Sequence, residues 1–354
     1  MFKSKEEILW RACTDGDLET VKELADDPGV DFNWVGEDRG DTPLHRACRF
    51  GRLDIVKMLL AQEKIEVNKG NKGGASSFFL ASQEGHKEVV SLLLADPRID
   101  PNKPSKNEAT PFLVACQEGH REMVALLLAD PRFDPNKQAN DGTTPFLIAC
   151  EKGNKDVVSL LLVDPRIDPN TPLNDQSTPL WHASQEGHLV VVQHLLASGK
   201  EIDTKRRSNF NNTAAAEQGR AMAPRTTKAK DETEEVFQRR KTNGPLCADL
   251  IDEYDRDPKH LGVFHRLRRQ PGLREYFIGH LFALVVFHAD SFATVNEGKA
   301  HSDSRRFFKI TSQLPLDLQM VLCNRIFGSP RDIILSKYSE PGFQLLTRTT
   351  TWQQ

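Results

Sequence analysis

The chain has 354 residues, a formal net charge of −3, and 38% hydrophobic against 27% charged side chains, a balance that excludes wholesale disorder. The charge is unevenly spread: residues 1–210 hold 26 Lys and Arg against 33 Asp and Glu, and the remainder is net basic. An acidic first part repels phosphate backbones, so nucleic acid is not its expected partner.

Met1 to Ile8 is rich in Lys and Glu and has no apolar run. It does not read as a secretory signal, and the chain is expected in the cytoplasm or the nucleus. From residue 8 onward one pattern returns every 34 residues: ILWRACTDGDLETVKEL, PLHRACRFGRLDIVKMLL, SFFLASQEGHKEVVSLLL, PFLVACQEGHREMVALLL, PFLIACEKGNKDVVSLLL and PLWHASQEGHLVVVQHLL. Gly51, Gly85, Gly119, Gly153 and Gly187 keep that spacing, and Gly16 stands one residue further upstream.

The pattern predicts two short helices per unit. Thr-Pro opens the first at Thr42-Pro43, Thr110-Pro111, Thr144-Pro145 and Thr178-Pro179, where Thr caps and Pro fits the first turn. Gly then ends it, because Gly takes a left-handed turn at little steric cost. In the second helix Val89, Val90, Leu92, Leu93 and Leu94 crowd the apolar positions, and Val124, Leu126, Leu127 and Leu128 do so one unit later. Helices this short bury such faces only by stacking unit on unit. Cys13, Cys48, Cys116 and Cys150 fill one slot that Ser82 and Ser184 fill elsewhere. That points to small-residue packing, with no metal, disulfide or cofactor expected.

These motifs resemble the ankyrin family, whose units carry T-P-L-H-x-A-x-x-x-G-H and V-V-x-L-L-L before an extended hairpin, over residues 8 to about 210. The resemblance implies an all-α fold, an ankyrin-repeat solenoid of helix-turn-helix units with short hairpin loops. It also implies a non-enzymatic scaffold that binds another protein. The His of the family motif is kept only at His45; Phe79, Leu113, Leu147 and Trp181 replace it, and apolar contact is expected to hold those turns. Three units add Asp-Pro-Arg-Ile/Phe-Asp-Pro-Asn at 96–102, 130–136 and 164–170. Arg98, Arg132 and Arg166 are expected to pair within their own units rather than form a ladder for an acidic ligand, and His86, His120 and His188 are expected to start second helices.

By the same resemblance a partner meets a concave surface built from hairpin tips and first-helix ends. The first-helix positions are Arg49 and Phe50, Gln83 and Glu84, Gln117 and Glu118, Glu151 and Lys152, and Gln185 and Glu186. The tips are Asp38 and Arg39, Lys72 and Gly73, Lys106 and Asn107, Asn140 and Asp141, and Asn174 and Asp175. A stripe mostly acidic and amide, with one aromatic, suits a basic or polar segment of another protein. The chain itself is expected to be monomeric.

Residues 1–216 thus read as six units plus the start of a seventh, and 217–244 as a charged flexible linker. Residues 245–354 read as a helical cap or effector region. Leu246, Leu250, Ile251 and Tyr254 share one face if 246–254 is a helix completing the seventh unit. Further helices are expected over 260–269, 273–290 and 314–327. The longest apolar stretch, Phe277 to Phe287, is interrupted by His280 and falls short of the ~20 residues of a membrane span. The basic cluster His265, Arg266, Arg268, Arg269 and Arg274 reads as a solvated helix face. LPLDLQMVLCNRIFG, Leu314 to Gly328, faintly resembles the start of an F-box helix, which implies as an alternative a substrate-recruiting adaptor of a ubiquitin ligase. No nucleophile with its base, carboxylate pair or phosphate loop rises above the repeat pattern, so no enzyme is expected.

Overall fold

The helices begin where the caps dictate. In this computed structural model the side-chain oxygens of Thr42, Ser76, Thr110, Thr144 and Thr178 accept the N–H three residues on, from His45, Phe79, Leu113, Leu147 and Trp181, at 3.0–3.3 Å. Each bond satisfies a donor the first helical turn would leave without a partner. The structure describes residues 4–164, 166–222, 228–229, 231–257, 266, 267, 270 and 273. The helices expected beyond residue 260, apart from those four positions, and the F-box-like segment lie outside the described residues.

Among the described residues there are fourteen helices and no strand. They pair as α1 (Lys5–Asp15) with α2 (Leu18–Ala25), α3 (Pro43–Arg49) with α4 (Leu53–Leu60), and α5 (Ser77–Glu84) with α6 (Lys87–Ala95). Next come α7 (Pro111–Glu118) with α8 (Arg121–Ala129), followed in chain order by α9 (Pro145–Lys152), α10 (Lys155–Val163), α11 (Pro179–Gln185) and α12 (Leu189–Ala197). The last pair is α13 (Ala215–Ala221) with α14 (Glu234–Arg256). They fall into two compact units. The first holds Met1–Val158, Arg166–His182 and Arg207–Asn212, and the second holds Ser159–Pro165, Ala183–Arg206 and the chain from Thr213.

In the first unit α1, α3, α5, α7 and α9 pack in succession, and α2, α4 and α6 run beside them. Phe78, Phe112 and Phe146, each 1% exposed, form its spine with Leu9 and Leu44. Burying each such side chain contributes roughly 1.5–3 kcal/mol. Phe133, from the second Asp-Pro-Arg run, lies between the rings of Phe78 and Phe112 at 6.3 and 6.4 Å. The small-residue slot is fully buried at Cys48, Ser82, Cys116 and Cys150, and Phe79, Leu113, Leu147 and Trp181 are buried at the former histidine position. Loop tips join by single backbone bonds: Lys72 N–H to Arg39 O and Lys106 N–H to Gly73 O at 2.9 Å, and Asn140 N–H to Asn107 O at 3.2 Å.

The second unit departs from the sequence reading. Where 217–244 suggested a flexible linker, α13 ends at Ala221 and α14 starts at Glu234, capped by Thr233, and runs on through Gly244 and Pro245. Proline inside a helix costs a hydrogen bond, yet packing compensates. Gly219 and Gly244 let α13 and α14 touch, for a Cβ on either would stand 2.5 Å from the other's carbonyl oxygen. Phe237, Cys247, Ala248, Leu250, Ile251 and Tyr254 are buried, and α14 also packs on α12. Leu250, Ile251 and Tyr254 share a buried face as expected. Leu246 does not join them: it is 47% exposed, and its neighbour Cys247 takes the inward position. Arg266, from the expected basic cluster, forms a two-pronged pair with Glu253 at 2.5 Å.

Gly244→Ala is expected to destabilise the chain by about 1–3 kcal/mol through overpacking against Gly219, read as a lowered thermal midpoint. Gly73→Ala, at an exposed tip, serves as the control and should leave it nearly unchanged.

Candidate protein-binding surface

The first helices α3, α5, α7 and α9 end in the residue pairs the sequence singled out. Phe50 is 40% exposed. Its ring lies 4.8 Å from the guanidinium of Arg46, which also lies over the Trp10 ring at 4.3 Å. Arg49 is turned away from solvent, its side chain 13% exposed and 3.5 Å from Asp41. Glu84 and Glu118 are exposed and Gln83 and Gln117 half-buried. Gln117 donates to Glu118 at 2.9 Å. Among the described residues no cation pairs with either glutamate. In α9, Glu151 takes Lys152 at 2.9 Å and stands 3.8 Å from His182.

Asp41 organises the N-terminal end of this surface. It is 2% exposed; Asn71 donates to its Oδ1 at 2.8 Å, Arg46 and Arg49 stand 3.7 and 3.5 Å from its Oδ2, and Trp10 donates to its backbone carbonyl at 2.8 Å. The sequence reading missed it. The signal was there: Asp41 holds the slot before Thr-Pro that Ala109, Thr143 and Ser177 hold elsewhere. Phe210, 81% exposed, was missed as well. It follows Asn209, whose N–H reaches Asp175 O at 2.6 Å and so continues the series of tips.

In the second unit Gln185 and Glu186 meet a different fate. Glu186 accepts Arg240 Nη2 at 2.5 Å and Nε at 2.9 Å, and its carbonyl accepts Arg239 Nε at 2.9 Å. Asn243 donates to Gly187 O at 3.1 Å. This end of the expected stripe is filled by the chain's own α14.

The family model described as "Ankyrin repeats" matches three times, at residues 9–105, 78–173 and 112–207, which is more than half of the chain. The chain belongs to the ankyrin-repeat family. Among solved structures, that of the human ASB11 ankyrin repeat domain is similar with a TM-score of 0.52 and 25% identity, covering 66% of this chain and 96% of that one. A curated relative, the 2-5A-dependent ribonuclease of Mus musculus, is 37% identical over 73 residues, 21% of this chain and 10% of its own. The chain therefore spans about a tenth of that relative's length. Ankyrin repeats bind other proteins, and the ankyrin fold is typically an interaction module without catalytic activity of its own.

The other polar ladders of these ankyrin units are internal. Arg98 and Arg132 each grip the Asp two residues before them at 2.6 Å, and Arg98, Arg132 and Arg166 donate to the carbonyls of Leu60, Leu94 and Leu128 at 2.7–3.3 Å. Those carbonyls end second helices and lack helical partners, so the arginines serve as caps. Asn68, Asn102 and Asn136 donate across to Arg98 O, Arg132 O and Arg166 O at 2.6–2.8 Å. His86 and His120 begin second helices and bond Arg49 O and Gln83 O at 2.9 and 2.8 Å. Cys13, Cys48, Cys116, Cys150 and Cys247 are free and buried; burial pushes the Cys13 and Cys247 thiols up to about 12. Among the described residues no group of side chains fits a metal ion, and no helix is long and apolar enough to cross a membrane.

His45 is the one retained motif histidine and ties two units together. Thr42 N–H donates to its Nδ1 at 3.1 Å, and its Nε2 bonds Ala75 O of the next unit at 3.0 Å, which fixes the Nε2–H form. Burial lowers its pKa from the ordinary 6.5, against the pull of Asp41. The neutral ring therefore stabilises the fold fully above pH 6.5, and the contribution declines as pH falls below it. In thermal denaturation between pH 5 and 7.5 the native chain should lose stability towards acid more steeply than His45→Leu, which is itself weaker at neutral pH by about 1–3 kcal/mol. Parallel curves would remove His45 from the acid response.

Proposed function

We propose that the first unit is a docking module for a basic or polar segment of another protein, held on the ends of α3, α5 and α7. The observation that carries the reading is that Glu84 and Glu118 stand exposed on successive ankyrin units with, among the described residues, no cation paired to them, and that Phe50 is exposed as well. Complementary charge speeds encounter and rejects wrong partners, and an exposed aromatic supplies an anchor. Gln83 and Gln117 add adaptable donors and acceptors. Arg49 contributes by holding Asp41 and, through it, the Trp10, Arg46 and Phe50 stack. The salt bridge of Lys152 to Glu151 closes the acidic run, and the tips at Arg39, Lys72 and Lys106, all exposed, set which partner fits. On this reading the chain works as a scaffold, not as an enzyme, and its buried free thiols suit a reducing compartment.

The test uses the full chain beside a Phe50→Ala, Glu84→Lys, Glu118→Lys variant, with captured partners identified by mass spectrometry and then titrated as purified proteins. The expected result is a partner whose affinity falls about 100-fold or more in the variant, because like charges now face each other, while circular dichroism is unchanged. Equal affinity for both proteins would defeat the reading.

A further inference from the structure

Glu186 ends its first helix in the run Gln185-Glu186-Gly187-His188, and the same four residue types stand at Gln83–His86 and Gln117–His120. All three glutamates hold one position, directly before the glycine that closes the helix. Glu186 alone has an occupant within the described chain. Arg240 lays Nη2 and Nε against its two carboxylate oxygens at 2.5 and 2.9 Å, Arg239 Nη2 approaches to 3.7 Å, and Glu232 takes the free edge of Arg240 at 2.8 Å. This is a two-bond fork, which a planar guanidinium makes and an ammonium does not. At Glu84 and Glu118 the same carboxylate stands at the same helix end, and among the described residues no guanidinium forks onto it.

We infer that the partner of the first unit carries a helix with two arginines seven residues apart, each forking onto one of Glu84 and Glu118 as Arg240 forks onto Glu186. The inference rests on the reading of that unit as a docking module and names its partner's chemistry. The spacing follows from geometry: packed helices stand 8–10 Å apart, and a helix rises ~1.5 Å per residue, so seven residues span about one step of the stack on a single helical face. The position before the glycine in the next unit is Lys152, which repels a third arginine. On the other side stands Phe50, whose exposed ring receives an apolar or cationic side chain.

The probe is a fluorescein-labelled, alanine-based helical peptide with arginines seven residues apart, titrated by anisotropy against the full chain. A second peptide carries lysines at the same two positions. The arginine peptide should bind, the lysine peptide should bind about fivefold or more weakly, and Glu84→Gln or Glu118→Gln should each cost about tenfold with the thermal midpoint unchanged. Glu186→Gln should leave peptide affinity as it was. No binding, equal binding of the two peptides, or indifference to Glu84→Gln and Glu118→Gln overturns the inference. If a natural partner is nonetheless lost from the Phe50, Glu84, Glu118 variant, the docking module stands and only its arginine chemistry falls. If neither partner nor peptide responds to those positions, both readings fall together.

Discussion

At the starts of α4, α6, α8 and α10 a side chain reaches back to the carbonyls that end the preceding repeat's first helix, and a glycine makes room for it. His120 sits so close to Gly85 that a Cβ there would stand 2.7 Å from its ring, and Asn154 does the same for Gly119 at 2.9 Å. The carbonyls concerned have no helical partner of their own. One contact thus ends a helix, satisfies its orphan acceptors and sets the distance to the next unit. The chemistry of the reaching group is free to vary: imidazole at His86, amide at Asn154, guanidinium at Arg52, which bonds Thr14 O at 3.1–3.2 Å. What cannot vary is the glycine, left-handed at Gly85, Gly119 and Gly153. The residue just before it is therefore held at a fixed place at the ends of α1, α3, α5 and α7.

The polar residues of the chain divide by where that contact leaves them. Those on the loops after second helices are consumed internally, which is why Arg98 and Arg132, though partly exposed, are caps and not ligand sites. Of those before the closing glycine, Glu84 and Glu118 in the third and fourth repeats pair with no cation among the described residues. Where the chain does give such a glutamate a duty, at Glu186, it spends a helix on it.

Much of this was legible in the sequence, because each signal is local. Thr-Pro marks a cap, Gly a left-handed end, and the 34-residue period the stacking. The candidate positions before each glycine could be named by counting. Long-range contacts were not legible in the same way. Nothing adjacent to Asp41 announces that Trp10 and Asn71, about thirty residues away on either side, converge on it together with the nearby Arg46 and Arg49. Gly244-Pro245 reads as a break by every local rule, yet α14 passes through it because Gly219, more than twenty residues earlier, offers a bare backbone to lie against. Local propensity placed the boundary at 244; tertiary packing erased it.

The unlike seventh pair also bears on how such an array changes in length. A 34-residue segment duplicated between α5 and α8 would bring its own glycine and its own reaching side chain, and would find a matching neighbour on each side. At Gly187, by contrast, the room left by the missing Cβ is taken by the backbone of Arg239, so a copy inserted there would have to displace α14. Insertion is thus accommodated between like units and opposed at Gly187. The run Gln-Glu-Gly-His, at 83–86, 117–120 and 185–188, therefore closes a first helix whatever fills the room beside its glycine: His120, Asn154 or the backbone of Arg239.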